Sequence, residues 1–511
     1  MLTNGTGSIA RRSPLLLICI LIVLVTQCYF FFKYNAEVAA RLRPFVEQAT
    51  VQPVRTMEAE RTITITSVAV VPSVTPAVRR PSTPSAPLHD VVLSIKTGAT
   101  VIFNRVPTQL LTFVQQFPET LIYSDLKTKL GDWDVSDTLS HISADVAGDT
   151  LKHWRSMQEV AILIRSYQKN PHASYYLFID GDTSLIPSNW WPYLLAVSME
   201  HNPLTSPIYH GASASLGSFA FGHGGSGYLI NQAAMRKLIP EGRVHDEAFL
   251  SDLERNYTKL ASHSCCGDYV LAHAMADRGL PIMHQGPFYQ GDPWWNLPWK
   301  EGDFCKPVGT MHHHFPEDMQ DMWEFEQAML RKNGRWRPNG WTPQHEQGTV
   351  KWKFSNMPTG AKDTNLTEYK HILYRDMYDW FVAERLPREV TREEGEDWGD
   401  SAVRIGWDNR SWTEGEFNEN KLKEAGTSSE QWKKDAITSE KNCRLACEQH
   451  IDGCVQWFYR EGHCGYSSNL KYGRRLPQDG TIREVRQRGI SGWIPRRVEE
   501  KEKKLRAKCP G

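Results

Sequence analysis

In the stretch YYLFIDGDTSLI, residues 175–186, an apolar run ends in two acids split by one glycine. An unbroken apolar run of this length suits a strand covered on both faces, the kind found in a parallel sheet with helices on either side. Such a strand needs no carboxylate at its end, so Asp180 and Asp182 point to a site that wants negative oxygens. In an extended chain residues two apart project to the same side. Two hard carboxylates facing one way suit Mg²⁺ or Mn²⁺, an ion that can neutralise a diphosphate. Ordinary turn chemistry is the rival explanation for Asp-Gly-Asp-Thr.

The surrounding pattern agrees with such a sheet. HDVVLSIKTG reads as a strand ending in a turn, and ETLIYSDL as a second strand. From Leu151 onward Trp154, Met157, Val160, Ile164 and Tyr167 recur at steps of three and four, an amphipathic helix. Strand, helix and strand in this order predict an α/β domain over residues 89–390, with ligands gathered at the carboxyl ends of its strands.

Three later segments carry candidate chemistry. FGHGGSGYLI, residues 221–230, sets small residues around His223, so the backbone can approach a ligand closely; a flexible loop is the alternative. In CCGDYVLAHAMADRGLP, Val270, Leu271, Ala274 and Met275 form a helical stripe that Gly279 and Pro281 stop, and Asp268 sits in the first turn as either a functional acid or a cap. In GTMHHHFP an extended chain would put His312 and His314 on one side and His313 on the other, so the three cannot easily share one ion.

The termini suggest a secretory setting. Pro14 to Phe32 is uncharged and, at 1.5 Å per residue, about 29 Å long as a helix, enough to span a bilayer. A cleaved signal peptide competes, but no small-x-small site follows. Sequons at Asn256, Asn365 and Asn409 lie beyond the span, which orients a short tail (1–13) to the cytoplasm and the body to the lumen. Residues 33–88, rich in Pro, Ser and Thr toward their end, read as an extended stem. Eight of the ten cysteines follow the stem. Cys443, Cys447, Cys454 and Cys464 crowd together in the 391–511 segment and predict a disulfide-stapled module separable from the rest, in preference to a zinc site. A zero formal net charge gives no pointer to nucleic acid.

Taken in order, FIDGDT, FGHGGSGY, CCGD and TMHHH resemble the fungal branch of the fringe-like β-1,3-glycosyltransferases, glycosyltransferase family 31, over about residues 90–330; SIKTGA and IYSDL match that family's nucleotide-side strands. The resemblance implies a GT-A fold and an inverting, Mn²⁺- or Mg²⁺-dependent transfer from a UDP-sugar to a glycan or glycoprotein hydroxyl, in a single-pass Golgi membrane protein. It implies Asp180, Asp182 and His312 as metal residues and Asp268 as the base. Lys96, Thr97, Asp125 and Asp180 would lie by the nucleotide, and His223, Gly224 and Gly225 would line the sugar site. Animal members carry three consecutive acids where this chain has Asp180-Gly181-Asp182. The cysteine module resembles a PAN or apple-like domain, which implies binding to protein or carbohydrate. Two other classes compete: a noncatalytic luminal glycan-binding or adhesion protein, and a metallohydrolase using the histidines, for which no second histidine or acid motif is present.

Overall fold

The computed structural model describes residues 87–140, 158–264, 266–333, 345–346, 349–350, 371–392, 398–425, 430–477 and 481–509. The expected cytoplasmic tail, membrane span and nearly all of the stem lie outside these residues. Among the described residues no helix is long and apolar enough to cross a membrane.

The first half is a mixed α/β structure. In chain order it comprises β1 (Val91–Lys96), α1 (Ile102–Leu111), β2 (Glu119–Ser124), β3 (Thr128–Leu130), β4 (Trp133–Asp137), α2 (Gln158–Lys169), β5 (Tyr175–Asp180), β6 (Ser184–Leu185), α3 (Pro187–Glu200), β7 (Tyr209–Gly211), β8 (Ser213–Leu216), β9 (Phe219–Gly222) and β10 (Tyr228–Asn231). Then follow α4 (Gly267–Ala276), β11 (Met283–His284), β12 (Tyr289–Gln290), β13 (Thr310–Met311) and α5 (Pro316–Asn333). The main sheet has the order β11-β7-β10-β5-β1-β2-β4-β3. Its centre, β5-β1-β2-β4, is parallel, whereas β10 runs antiparallel to both β5 and β7. The sheet thus has a parallel centre, as the order of strands and helices predicts, with antiparallel pairs toward its edges.

Burial explains the apolar runs. Val92, Tyr176 and Phe178 pack on one face with Val160, Ile164 and Tyr167 of α2 and Val270, Leu271, Ala274 and Met275 of α4. Val91, Leu93, Tyr175, Leu177 and Ile179 pack on the other against Trp190 of α3 and Ile102 and Val106 of α1. The helix expected from Leu151 is described from Gln158 onward; Trp154 and Met157 lie outside the described residues.

The second half is a five-stranded antiparallel sheet. Its strands are β14 (Ala402–Ile405), β15 (Gly415–Asn418), β16 (Gln456–Arg460), β17 (His463–Ser467) and β18 (Ile490–Trp493), ordered β14-β18-β16-β17-β15, and α6 (Pro495–Ala507) follows. Disulfides Cys443–Cys464 and Cys447–Cys454 staple it, as the cysteine density predicts. Cys305 and Cys509 are free thiols.

The cysteine segment has a core of its own, in which the four disulfide cysteines pack with Trp398, Trp457, Ile490 and Ile494. It also touches the first half, where Trp294, Trp299, Met311 and Phe325 share an apolar cluster with Leu470, Tyr472, Trp493 and Leu505, and the Trp299 amide donates to the Leu470 carbonyl at 3.1 Å. The Asn409 sequon meets a different outcome. Its side chain is fully buried and its amide donates to the Trp457 carbonyl at 3.0 Å, which leaves no room for a glycan. Asn256 is exposed on a helix, and Asn365 lies outside the described residues.

A buried acid ties α5 to α3. Glu326 is 2% exposed and accepts hydrogen bonds from the Ser188 amide (2.8 Å) and hydroxyl (2.7 Å) near the start of α3. Burial pushes its carboxyl up to about 7. A raised folded value means that its stabilisation is complete below the unfolded value, roughly 4.3, and is lost as pH rises through about 7. The wild type should therefore lose about 3 kcal/mol relative to Glu326→Gln between pH 4 and pH 8. Parallel melting profiles for the two proteins across that range would remove Glu326 as the cause.

Candidate active site

Strand register assembles the site. Parallel pairing of β1 with β5 sets Lys96 directly beside Asp180, and β2 brings Ser124 and Asp125 to the same carboxyl edge. The chain then turns at Gly181, whose amide donates to the Lys96 carbonyl at 2.8 Å. Gln109 of α1 clamps this turn from behind by donating to the carbonyls of Asp180 (3.1 Å) and Thr183 (2.8 Å). A Cβ on Gly181 would stand 2.9 Å from the Thr97 hydroxyl oxygen, so a third acid between Asp180 and Asp182 would require Thr97 to move.

Asp182 is 7% exposed, and the histidines come to it from β13. Antiparallel pairing sets Met311 opposite Ser184, and the His314 amide donates to the Asp182 carbonyl at 3.0 Å. His312 Nε2 then lies 3.2 Å from Asp182 Oδ1. His313 has φ 60°, in the left-handed region, which breaks the strand alternation. Its ring swings back to stack on His312 at 3.7 Å, with Nδ1 3.9 Å from Asp182 Oδ2. His312 and His313 are therefore the pair on one side, and His314 is the one apart, contrary to the extended-chain expectation. His314 is 2% exposed, shares a 2.7 Å hydrogen bond with the Ser184 hydroxyl and accepts from the Trp294 amide; burial lowers its pKa to about 3, so it is a neutral structural residue.

Asp182, His312 and His313 each offer a ligand atom, all within 4.8 Å of one another. One carboxylate and two imidazoles are a donor set for a divalent transition ion such as Mn²⁺, and the second nitrogen of His312 is buried without a partner among the described residues. Burial opposes charge on Asp182, but hydrogen bonds from His312 and His313 and the Arg105 guanidinium, 3.0 Å from Oδ2, hold its carboxyl well below the usual range. Asp180 stands outside this cluster. Its Oδ1 is 3.1 Å from Lys96 Nζ, and Lys96 also pairs with Glu159, a buried acid that accepts from the Tyr228 hydroxyl at 2.7 Å. Burial disfavours the Lys96 charge, yet Asp180 and Glu159 outweigh it and keep the ammonium protonated.

The glycine loop closes the site from above. The Gly224 amide donates to Asp268 Oδ2 at 2.7 Å, which joins the start of α4 to the loop. Asp268 is not the N-cap of α4; Cys266 holds that position, and Asp268 Oδ1 accepts instead from the Tyr269 amide at 2.9 Å. A Cβ on Gly225 would lie 2.0 Å from the His312 ring, so the imidazole rests on bare backbone. The Thr183 hydroxyl fixes the loop by donating to the Gly225 carbonyl at 2.7 Å. His223, half-buried, shares a 2.7 Å hydrogen bond with Ser226, and its ring centroid is 5.4 Å from that of His312; burial lowers its pKa. Asp125 Oδ1 accepts from the Ala99 amide at 2.6 Å, and the buried Thr97 hydroxyl has no partner among the described residues.

No family model matches the sequence, and no curated protein does. Among solved structures, a glycosyltransferase involved in the glycosylation of the major capsid of PBCV-1 is similar at 12% identity and a TM-score of 0.27, over 46% of this chain and 98% of that one. At that score the likeness carries no function across.

Sequence reasoning missed Glu159, Arg105 and the His313 contact. Glu159 left a trace, an acid at the head of an apolar helical stripe. Arg105 had no periodic signal, and His313 depends on a single backbone angle.

Proposed function

We propose that the chain is an inverting, metal-dependent glycosyltransferase of GT-A type that uses a UDP-sugar and acts on a glycan or glycoprotein hydroxyl in the lumen of the secretory pathway. The observation that carries this reading is the convergence, at the carboxyl edge of the parallel strands, of the Asp182, His312 and His313 cluster with a separate carboxylate, Asp268, held on a glycine loop. One acid lies among metal ligands and the other is half-buried and within reach of a substrate, a division of labour that suits group transfer.

A divalent cation bound by Asp182, His312 and His313 would neutralise charge developing on a departing diphosphate. The protein's own groups do the rest. Arg105 adds a guanidinium beside Asp182, suited to a phosphate oxygen. Lys96, kept charged, holds Asp180 in place and leaves Asp182 as the metal carboxylate. Asp268 accepts the proton of the acceptor hydroxyl as that oxygen attacks the anomeric carbon from the face opposite the leaving group. Its second oxygen, bonded to the Tyr269 amide, fixes the carboxylate plane.

The luminal fragment from residue 89 onward should bind UDP at least tenfold more tightly in Mn²⁺ than in EDTA by calorimetric titration. Equal affinity in the two buffers would remove the metal from the site.

A further inference from the structure

The pairing of the cysteines leaves two thiols over. Among the described residues Cys266, Cys443, Cys447, Cys454 and Cys464 are all disulfide-bonded, a set that persists only where thiols are oxidised. Cys305 and Cys509 are the two that stay free. They are neighbours in space, although one lies shortly before β13 and the other just past the end of α6.

Three contacts hold the two positions together. The Cys305 thiol donates to the carbonyl of Lys508, the residue before Cys509, at 3.1 Å. The Arg375 amide donates to the Phe304 carbonyl at 2.9 Å while its guanidinium donates to the Cys509 carbonyl at 3.3 Å, so one residue grips both segments. Cys509 is 9% exposed in the apolar cluster that holds Phe304, Val308, Val498 and Leu505, and Cys305 packs against that cluster from a partly exposed position. Burial and the neighbouring Cys509 thiol push the Cys305 thiol up to about 11, which suits a structural position better than a reactive one. A buried free cysteine can serve as a small apolar residue, and Cys509 alone would need no other explanation. Two thiols in contact where distant segments meet, with one of them open to an oxidant, have the arrangement of a cross-link.

We propose that Cys305 and Cys509 form a disulfide in the folded protein, which fastens the end of α6 to the chain leading into β13. Each thiol gives up its proton and one S–S bond forms. The electron pair passes to a disulfide oxidant, small-molecule or protein, which takes up both protons and leaves as two thiols. The Cys443–Cys464 and Cys447–Cys454 bonds lie within the second half, whereas this one joins the second half to the first. It closes a far longer loop than either, and the constraint on the unfolded chain grows with the length closed.

The test uses the full chain made in a eukaryotic secretory pathway, then denatured, alkylated without reductant and digested for mass mapping. A peptide pair joining Cys305 to Cys509 should outweigh the alkylated forms of both and should vanish on reduction. Alkylated Cys305 and Cys509 in most molecules, or either sulfur joined to a different cysteine, overturns the proposal. Melting temperature is the second readout. Cys305→Ala, Cys509→Ala and the double variant should each melt about 4 °C or more below wild type, by equal amounts, because the same bond is lost in all three. Losses that add in the double variant would mean two separate packing contacts and overturn the cross-link. The mapping needs only the wild type, so it decides even where a variant fails to fold.

Discussion

Replacing Asp268 with Asn should lower sugar transfer by about two to four orders of magnitude, the usual effect of a lost general base, while UDP–Mn²⁺ affinity and the melting temperature stay close to wild type. The structure separates these quantities. The Asp268 carboxylate makes two described backbone hydrogen bonds, from Gly224 and Tyr269, and it belongs to neither the metal cluster nor the N-cap position. An Asn side-chain oxygen can still accept from Gly224, so the loop stays attached, but the amide cannot take a proton from a hydroxyl. Turnover within threefold of wild type on an unchanged melt would exclude Asp268 from proton transfer. A melt several degrees lower together with the lost turnover would make it a structural residue.

Gly225→Ala should weaken Mn²⁺-dependent UDP binding and turnover by about a hundredfold without touching any charged group. The added methyl would lie 2.0 Å from His312 Cε1, a separation no pair of carbons tolerates, so the imidazole must leave its place beside Asp182. Misplacing a functional group by about 1 Å can cost that factor. Gly242→Ala is the control, since a Cβ there meets nothing within 4 Å. Similar UDP titrations for the two variants would mean that the position of His312 is irrelevant to binding.

What was legible in the sequence follows from what burial imposes. The strands ending in Lys96, Ser124 and Asp180 and the helix carrying Asp268 were readable because their apolar residues face a covered interior with regular period. Asp182, His312, His223 and Asp268 stood out because polar residues beside such runs are rare, and the structure sets them in one neighbourhood. The pairing of Asp180 with Lys96 left no local trace, because the register that sets them side by side is a property of two strands distant in sequence. His313 was misread because one positive φ inverts the side that alternation assigns. The sequon at Asn409 misled because local spacing carries no record of what distant segments of the chain cover.

The cluster that joins Trp294 and Trp299 to Leu470, Trp493 and Leu505 also sets the order in which the molecule can be made. A ribosome adding roughly 5–20 residues per second needs about ten to forty seconds to pass from one group to the other. Throughout that interval Trp294, whose amide donates to His314, and Trp299 lack their covering strands and helix. The nascent first half is therefore sticky until translation is nearly finished, and a ribosome stalled inside the disulfide segment should leave a chain that a holdase captures, however well its first sheet has already formed.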